Sequence, residues 1–419
     1  MTVMIAGAGI GGLSLALSLQ QVGIECVIYE AVREVRPLGV GINLQPHAVR
    51  ELFELGLEDD LDRIGLRTEE VAYFSQQGKL VWDEPRGLSA GYRWPQFSVH
   101  RGQLQMALYW AFLERGGSVL AGYALQDWEE DSAGVIARFA DRRTGRIVGR
   151  ECGAILVGAD GINSTVREQL YPDEGPARWG GTMMWRGVSR APRFRTGRSI
   201  AMSGEKAVKF VCYPIADCGE DDSLLNWIAD IHDPNRAGFA PQDWNRAGRI
   251  EDFLPMFAGM SFDWLDVPRV IQDAQAIYEY PMVDRDPLPR WSHGRITLLG
   301  DAAHPMYPIG SNGASQAILD GRYLTRALKE AQDVVSALDR YDSERRDEVN
   351  AVVMANRGDG PDKILDVVAE RAPQGFEHVE EVISRQELES QAASYKAVAG
   401  MDIAKLNARP SILSAAHRN

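Results

Sequence analysis

The sequence predicts an α/β fold (α+β overall): a parallel sheet flanked by helices, an inserted β-sheet domain and a helical C-terminal region. Three observations predict it. Short apolar runs bounded by glycine, too short for helices, recur at residues 3–6, 154–157 and 295–299, and each precedes a helical pattern. Segments rich in aromatics, with strand-like alternation and many loops, come between them. The residues after about 345 read mainly as helices, separated near Gly358-Asp359-Gly360-Pro361 and Ala372-Pro373.

Val3–Ala6 is the first buried strand, and Gly7-Ala8-Gly9-Ile10-Gly11-Gly12 follows it at once as G-x-G-x-x-G. Leu13, Leu15, Ala16, Leu17 and Leu19 then mark a helix ending at Gly23, and a second strand, Ile24–Tyr29, finishes on Glu30. Each piece has a physical task. Gly7 permits the tight turn, Gly9 lets backbone approach a pyrophosphate, and Gly12 lets helix and strand pack closely. The helix N-terminus offers free N–H groups and a positive dipole end to phosphate, and Glu30 can accept from a ribose hydroxyl. Strand, turn, helix, strand and acid stand in the order a Rossmann-like dinucleotide site requires. The motif alone does not say whether the dinucleotide is FAD or NAD.

Further along, Gly39 and Gly41 flank Val40, the pattern of backbone passing close to something flat or of a simple glycine loop. His47–Leu57 has helical spacing and stops at Gly56; residues 71–97 alternate like strands and include Trp82 and Trp94; Arg101–Phe112 is again helical. Strands are expected near Val119–Trp128 and Gly134–Phe139, with a turn at Thr144-Gly145. In ECGAILVGADGINSTVR the strand breaks at Gly158 and leaves Asp160-Gly161 at its end, before a helix capped near Asn163 or Ser164. The strand Arg295–Leu299 leads into Gly300-Asp301-Ala302-Ala303-His304-Pro305, and the loop Pro308–Gly313 opens a helix from Ala314 to about Leu328. Only one G-x-G-x-x-G opening exists, so one discontinuous dinucleotide-binding domain is expected, at 1–70, 98–175 and 271–345. A β-sheet substrate domain would comprise 71–97 and 176–270, with a helical C-terminal region at 346–419.

Composition narrows the function. A net charge of −14 argues against nucleic acid as a main partner, because phosphate contact needs a basic surface. Cys26, Cys152, Cys212 and Cys218 show no CxxC or zinc spacing, so no metal site and no dithiol redox centre is expected. Scattered thiols suit a reducing cytoplasm. No apolar run approaches the ~20 residues of a membrane span, and the N-terminus lacks the charged region of a signal peptide, so a cytoplasmic protein without a membrane partner is expected.

With Gly7-x-Gly9-x-x-Gly12, Asp160-Gly161 inside GADGINSTVR, and Gly300-Asp301 inside LLGDAAHPMYPIGSNGASQAILDG, the chain resembles the FAD-dependent aromatic hydroxylases, the single-component flavoprotein monooxygenases. RPLGVGINLQPHAV, HRGQLQM, MWRGV and YPMVDRDPLPRW are further similar to the members that act on phenazine carboxylates. The resemblance runs through most of the first ~345 residues and does not extend obviously to the tail. It implies non-covalent FAD, held by Gly7, Gly9, Gly11, Gly12 and Glu30, with Arg101 at the pyrophosphate region and Asp301 on the ribitol or ribose hydroxyls. It implies Leu125 near adenine, Val40 and Gly41 beside the isoalloxazine, and Gly313-Ala314 facing flavin N1 and O2, where a helix N-terminus stabilises negative charge. Asp160 would support the cofactor site indirectly. Position alone equally allows Arg101 to be a surface helix arginine.

The activity so implied is NAD(P)H- and O₂-dependent hydroxylation of an aromatic or N-heteroaromatic compound, a carboxylic acid by the closer likeness, through a C4a-hydroperoxyflavin. Loss of the carboxylate as the hydroxyl enters is a variant of it. NADH or NADPH, lacking a fingerprint of its own, would be a visiting co-substrate, and a homodimer is compatible with everything above. Trp185, Arg186, Tyr213 and Pro308 are the candidate substrate contacts. Arg186 is either a bidentate clamp on a substrate carboxylate or a structural ion pair. Of the ten tryptophans, Trp82, Trp94, Trp179, Trp185, Trp227, Trp244 and Trp264 fall in the expected substrate domain, which favours an aromatic-lined cavity, although large aromatics mostly serve packing. The catalytic residue is not assigned: His47, His100 and His304 are equally uncommitted. The chain lacks the W-x-W-x-I-P motif of flavin halogenases. A same-fold flavin reductase, or a flavin-binding or redox-sensing protein without turnover, are the competing readings.

Overall fold

A computed structural model describes residues 1–233, 235 and 246–413. Its organising element is a six-stranded sheet ordered Ser292–His293, Ile296–Leu298, Ile155–Gly158, β1 (Thr2–Ala6), β2 (Glu25–Glu30) and Ser118–Ala121. Every pairing is parallel except the terminal hairpin of Ser292–His293 with Ile296–Leu298. A parallel sheet covered on both faces needs continuous apolar strands, and Val3, Met4, Ile5, Ile155, Leu156 and Val157 are all wholly buried. Four separated stretches, 2–30, 118–121, 155–158 and 292–298, therefore build one sheet.

Two local departures from expectation have simple causes. The single strand expected over Val119–Trp128 is broken at Gly122, whose φ of +81° turns the chain. Ser118–Ala121 stays in the parallel sheet, while Ala124–Glu130 leaves it to pair with Val135–Ala140, which in turn pairs with Ile147–Gly153. Likewise Gln96–His100 does not follow Glu70–Phe74 and Leu80–Pro85 into the large sheet. It joins Gly41–Leu44 and Gly65–Thr68 in a small one.

The seven-stranded sheet runs Ile277–Asp284, Arg178–Pro192, Asp222–His232, Val208–Cys218, Ser199–Gly204, Glu70–Phe74 and Leu80–Pro85. One face packs Trp185, Phe210 and Trp227 against Phe253 and Phe257, on and beside the short helix Leu254–Phe257. The indole of Trp227 donates to Ser189 Oγ at 2.9 Å, so this buried polar tip is satisfied. The other face is covered in part by the C-terminal helices Lys363–Arg371 and Arg385–Val398, through Ile364, Leu365, Val368 and Leu388 against Val71, Tyr73, Val211 and Tyr213. The rest of that face looks toward the parallel-sheet half.

The tail continues as a strap. Lys396 pairs with Glu84 at 2.6 Å, Asn407 receives Arg93 N–H at 2.9 Å and donates to Gly91 O, and Arg50 donates to Arg409 O at 3.1 Å. It thus touches the large sheet at its Leu80–Pro85 edge and the helix Pro46–Glu54 in the other half.

Candidate functional site

The site begins where β1 ends. α1 (Ile10–Gln21) starts immediately after Gly9, which caps it with no side chain, so its first N–H groups have no intrahelical partner. Gly7 stands at φ +108°, and a Cβ there would strike the carbonyl of Ala159. A Cβ on Gly12 would strike the carbonyl of Gly7, and one on Gly11 would crowd Leu299 at 2.7 Å. Gly9 is different: a Cβ there would meet nothing within 4 Å. Three glycines are demanded by protein packing, and the fourth fronts open space at a helix N-terminus, the place a pyrophosphate needs.

A second uncapped helix opens beside the first. Gly11 lies against Ala317, and Leu15 against Gly321, so α1 and the helix Gly313–Glu330 run parallel with their N-termini at the same edge. Matching these contacts places the start of the Gly313 helix about one turn beyond that of α1. Asn312 is its N-cap residue yet makes no side-chain cap bond, which leaves the N–H groups of Gly313 and Ala314 without partners among the described residues. Asp301 is exposed at this edge, with Oδ1 about 4.0 Å from where a Gly313 Cβ would stand. Pro308 is exposed in the loop before the helix.

The interior behind this edge is rigidly tied. His304 Nε2 and Asp320 Oδ2 are 2.5 Å apart, Arg345 holds Asp320 Oδ1 at 3.0 Å, and Gly300 N–H donates to Asp320 Oδ2 at 3.1 Å. Burial pushes the Asp320 carboxyl up, but His304 and Arg345 overcome it and hold the group below the ordinary aspartate value. His304 is therefore a support for the Gly300-Asp301 turn. His47 is enclosed, and burial with the charges of Arg345, Arg50 and Arg409 lowers its pKa to about 3, so it is neutral at physiological pH. Burial also lowers that of His100, whose Nδ1 is buried without a partner. None of the three is placed as a general base.

The remaining expected cofactor contacts surround the same edge. Glu30 accepts Ala8 N–H at 2.7 Å and Val32 N–H at 2.9 Å, which anchors the glycine turn and leaves each oxygen a further lone pair. Asp160 sits behind the turn, its Oδ2 accepting Thr165 N–H at 2.8 Å, and burial raises its pKa. Arg101 opens the helix Arg101–Glu114, and its side chain lies along Gly39. One turn later Gln105 donates to Ala8 O at 2.8 Å, which turns this helix face toward the glycine loop. Leu125 is half-buried opposite Phe139, on the strand that starts beside Glu30.

Gly41 joins the two halves. Its N–H donates to Asn226 Oδ1 at 2.7 Å, its carbonyl accepts from Arg186 Nη2 at 2.7 Å, and a Cβ would collide with the Asn226 side chain. Val40 O accepts Arg101 N–H at 2.9 Å. The cation Arg186 thus bonds a backbone carbonyl of the cofactor half; among the described residues it is in no ion pair, and its Nε is buried without a partner. Asn226 Nδ2, Gln45 Oε1 and Asn312 Oδ1 are likewise buried without partners. Such orphaned buried groups are what a polar ligand edge would satisfy. Tyr213 lies against Arg186; burial raises its hydroxyl pKa to about 12, the nearby guanidinium opposing the shift.

Trp185 is corrected. Successive strand residues face opposite ways, so with Arg186 turned to Gly41, Trp185 is turned to the other face. There it stacks on Phe253 at 4.9 Å between ring centroids and is 2% exposed. Trp227 and Trp264 share that far-side core, Trp94 lies under the Arg50 guanidinium at 5.3 Å, and Trp244 is outside the described residues. On the face that Arg186 shares, Tyr73, Trp82 and Tyr213 pack with the C-terminal helices, and Tyr278, Tyr280 and Tyr307 cluster with Met184 and Met282.

A family profile described as "FAD binding domain" matches residues 1–208 and 271–356. The phenazine 1,6-dicarboxylic acid hydroxylase PhzS of Lysobacter antibioticus is 45% identical over 364 residues, covering 85% of this chain and 89% of that enzyme. The 6-hydroxynicotinate 3-monooxygenase of Pseudomonas fluorescens is 30% identical, covering 84% and 89%. Among solved structures, Klebsiella pneumoniae HpxO complexed with FAD and uric acid superposes with a TM-score of 0.76 at 26% identity, covering 98% of this chain and 97% of that one. Among the described residues no helix is long and apolar enough to cross a membrane, and no His/Cys/Asp/Glu group could hold a metal ion.

Proposed function

Because the chain belongs to the FAD-binding-domain family, as one of its FAD-dependent aromatic-ring monooxygenases, we propose that it hydroxylates an N-heteroaromatic carboxylic acid at the expense of NAD(P)H and O₂. The observation that carries the substrate class is the 45% identity, over most of both chains, with an enzyme named for a phenazine dicarboxylate. Bound FAD supplies the electron transfer and oxygen activation; the protein binds, orients and excludes water.

The α1 N-terminus, with open space at Gly9, would hold the pyrophosphate, with Glu30 and Arg101 flanking it. Asp301 would take ribitol hydroxyls, and the free N–H groups of Gly313 and Ala314 would stabilise negative charge on the flavin ring. The substrate ring lies over the inner face of the large sheet, against the tyrosines and methionines there, with Pro308 at its rim. Arg186 is the cation on that face. With one Nη on Gly41 and Nε free, it can meet a carboxylate without losing its tie to the cofactor half. NAD(P)H is a visiting co-substrate in this reading.

The test is FAD-loaded protein in a stopped assay of NADH and NADPH oxidation with phenazine-1,6-dicarboxylate, phenazine-1-carboxylate and unsubstituted phenazine. Carboxylated rings should accelerate oxidation and yield product heavier by one oxygen; replacement of CO₂H by OH with release of CO₂ marks the decarboxylating variant. Oxidation that yields only peroxide with all three would refute the substrate class. A protein that keeps FAD yet never oxidises either nicotinamide favours the non-catalytic alternative.

A further inference from the structure

Tyr395 lies beyond the residues matched by the family profile, on the tail helix Arg385–Val398, yet its hydroxyl ends at the cofactor loop. It is 7% exposed. Tyr395 Oη accepts from Asn312 Nδ2 at 2.9 Å and donates to Asn356 Oδ1 at 2.9 Å. Asn356 Nδ2 donates to Tyr307 O at 3.1 Å, and Asn312 Nδ2 also reaches Gly310 O at 3.1 Å, where Gln45 Nε2 converges at 3.2 Å. A Cβ on Gly310 would collide with the Tyr395 hydroxyl.

What this network holds is unusual. Gly310 and Ser311 both have positive φ, +69° and +55°, and Ser311 is not a residue that adopts that conformation freely. Asn312 is among the best N-cap residues, yet it is helical at φ −100°, ψ −22°, makes no cap bond, and leaves Oδ1 buried and unpartnered. Released, the loop would relax by turning Ser311 out of the left-handed region and Asn312 to the extended form, whose side-chain oxygen caps the first turn. That oxygen would take the N–H groups that the cofactor needs.

We propose that Tyr395 is a positioning residue for the flavin: by holding the Asn312 amide it keeps the Gly313–Glu330 helix uncapped and its first N–H groups free for the cofactor ring. This rests on the reading that this helix N-terminus faces the flavin. A free helix N-terminus favours the anionic reduced flavin, so capping it lowers the reduction potential.

The experiment compares wild type, Tyr395→Phe, Tyr395→Phe/Asn312→Ala and Ala314→Pro as FAD-loaded proteins, by dye-equilibrated reductive titration and FAD fluorescence titration. Phe keeps the ring packing and removes only the hydroxyl. Tyr395→Phe should lose preference for reduced over oxidised flavin by about tenfold, a fall of ~30 mV for two electrons. The double variant has no side chain able to cap, so it should return to the wild-type potential. A merely structural role for Tyr395 predicts no such rescue, and a double variant as low as the single would overturn the proposal, as would an unshifted Tyr395→Phe. Ala314→Pro removes one N–H at a first-turn position that tolerates proline. If it lowers the potential while Tyr395→Phe does not, the helix faces the flavin and the proposal alone fails. If it leaves the potential unchanged, the underlying reading fails.

Discussion

Two glycines three residues apart should fail in opposite ways. Gly12→Ala puts a methyl onto the carbonyl oxygen of Gly7, and that oxygen cannot readily retreat, because the N–H of the same peptide, on Ala8, is bonded to Glu30 at 2.7 Å. Overpacking against fixed backbone costs about 1–3 kcal/mol or more, so the flavin-free protein should lose several degrees of Tm. Gly9 has φ −74° and ψ 178°, extended backbone open to any residue, with no protein atom within 4 Å of a Cβ. Gly9→Ala should therefore leave flavin-free stability unchanged or raise it by ~0.4–1 kcal/mol through the unfolded chain. Its methyl instead occupies the pyrophosphate's approach. Loss of one hydrogen bond to a charged oxygen costs ~1.5–3 kcal/mol, a rise in the FAD Kd of ~10- to 150-fold. Deflavinated proteins would be melted by circular dichroism and then titrated with FAD by fluorescence quenching. Equal losses of flavin-free Tm in both variants, or wild-type FAD affinity in Gly9→Ala, would refute the division of roles.

Other expectations follow from the same geometry. Asp301→Ala should weaken FAD binding at least tenfold with flavin-free Tm unchanged, since Asp301 is exposed and, among the described residues, no hydrogen bond depends on its side chain; equilibrium dialysis decides. Trp185→Phe should cost about 1–2 kcal/mol of stability, at the low end of large-to-small core changes, and leave substrate KM unchanged; a raised KM would return Trp185 to the cavity. Arg186→Met should raise KM most for carboxylated rings and also loosen FAD by removing the tie to Gly41 O; an equal KM change for uncharged rings would leave only the tie. For Asp230, burial raises the pKa from 3.8 to about 6 despite Lys209. A folded pKa above the unfolded one gives stability that is full below about pH 4 and lost as pH rises through 6. Asp230→Asn should thus flatten the Tm profile between pH 4 and 7; an unchanged slope would refute this.

The fold and the glycine-lined edge of its parallel sheet were largely legible because their signals are local. The Gly7–Gly12 turn, the apolar strands at 3–6, 154–157 and 295–299, and the acids at their ends each need only a few contiguous residues to be read. The join between the halves was not. Gly41 with Asn226, Arg186 with Gly41 O, and Tyr395 with Asn312 are single contacts across 80 to 190 residues, and no periodicity announces them. Trp185 differs, because a signal existed: neighbouring residues of one strand cannot both face one cavity, so choosing Arg186 already excluded it. The tryptophan count misled for a related reason, since burial area draws indoles to the far-side core whichever face binds a ligand.

The parallel contact of α1 with the Gly313–Glu330 helix also sets when this protein can become an enzyme. It brings together residues some 300 positions apart, Gly11 with Ala317 and Leu15 with Gly321. Contacts of such long range close late, after the loop entropy of everything between them has been met. A nascent chain carrying only the glycine turn can fold β1, α1 and β2, but it presents half a cradle. The second helix emerges after most of the chain has been synthesised, so cofactor capture is a closing event of folding. Until Ile155–Gly158 has been made, the edge of β1 opposite β2 is also unpaired, and this is the interval in which the chain is most exposed to aggregation.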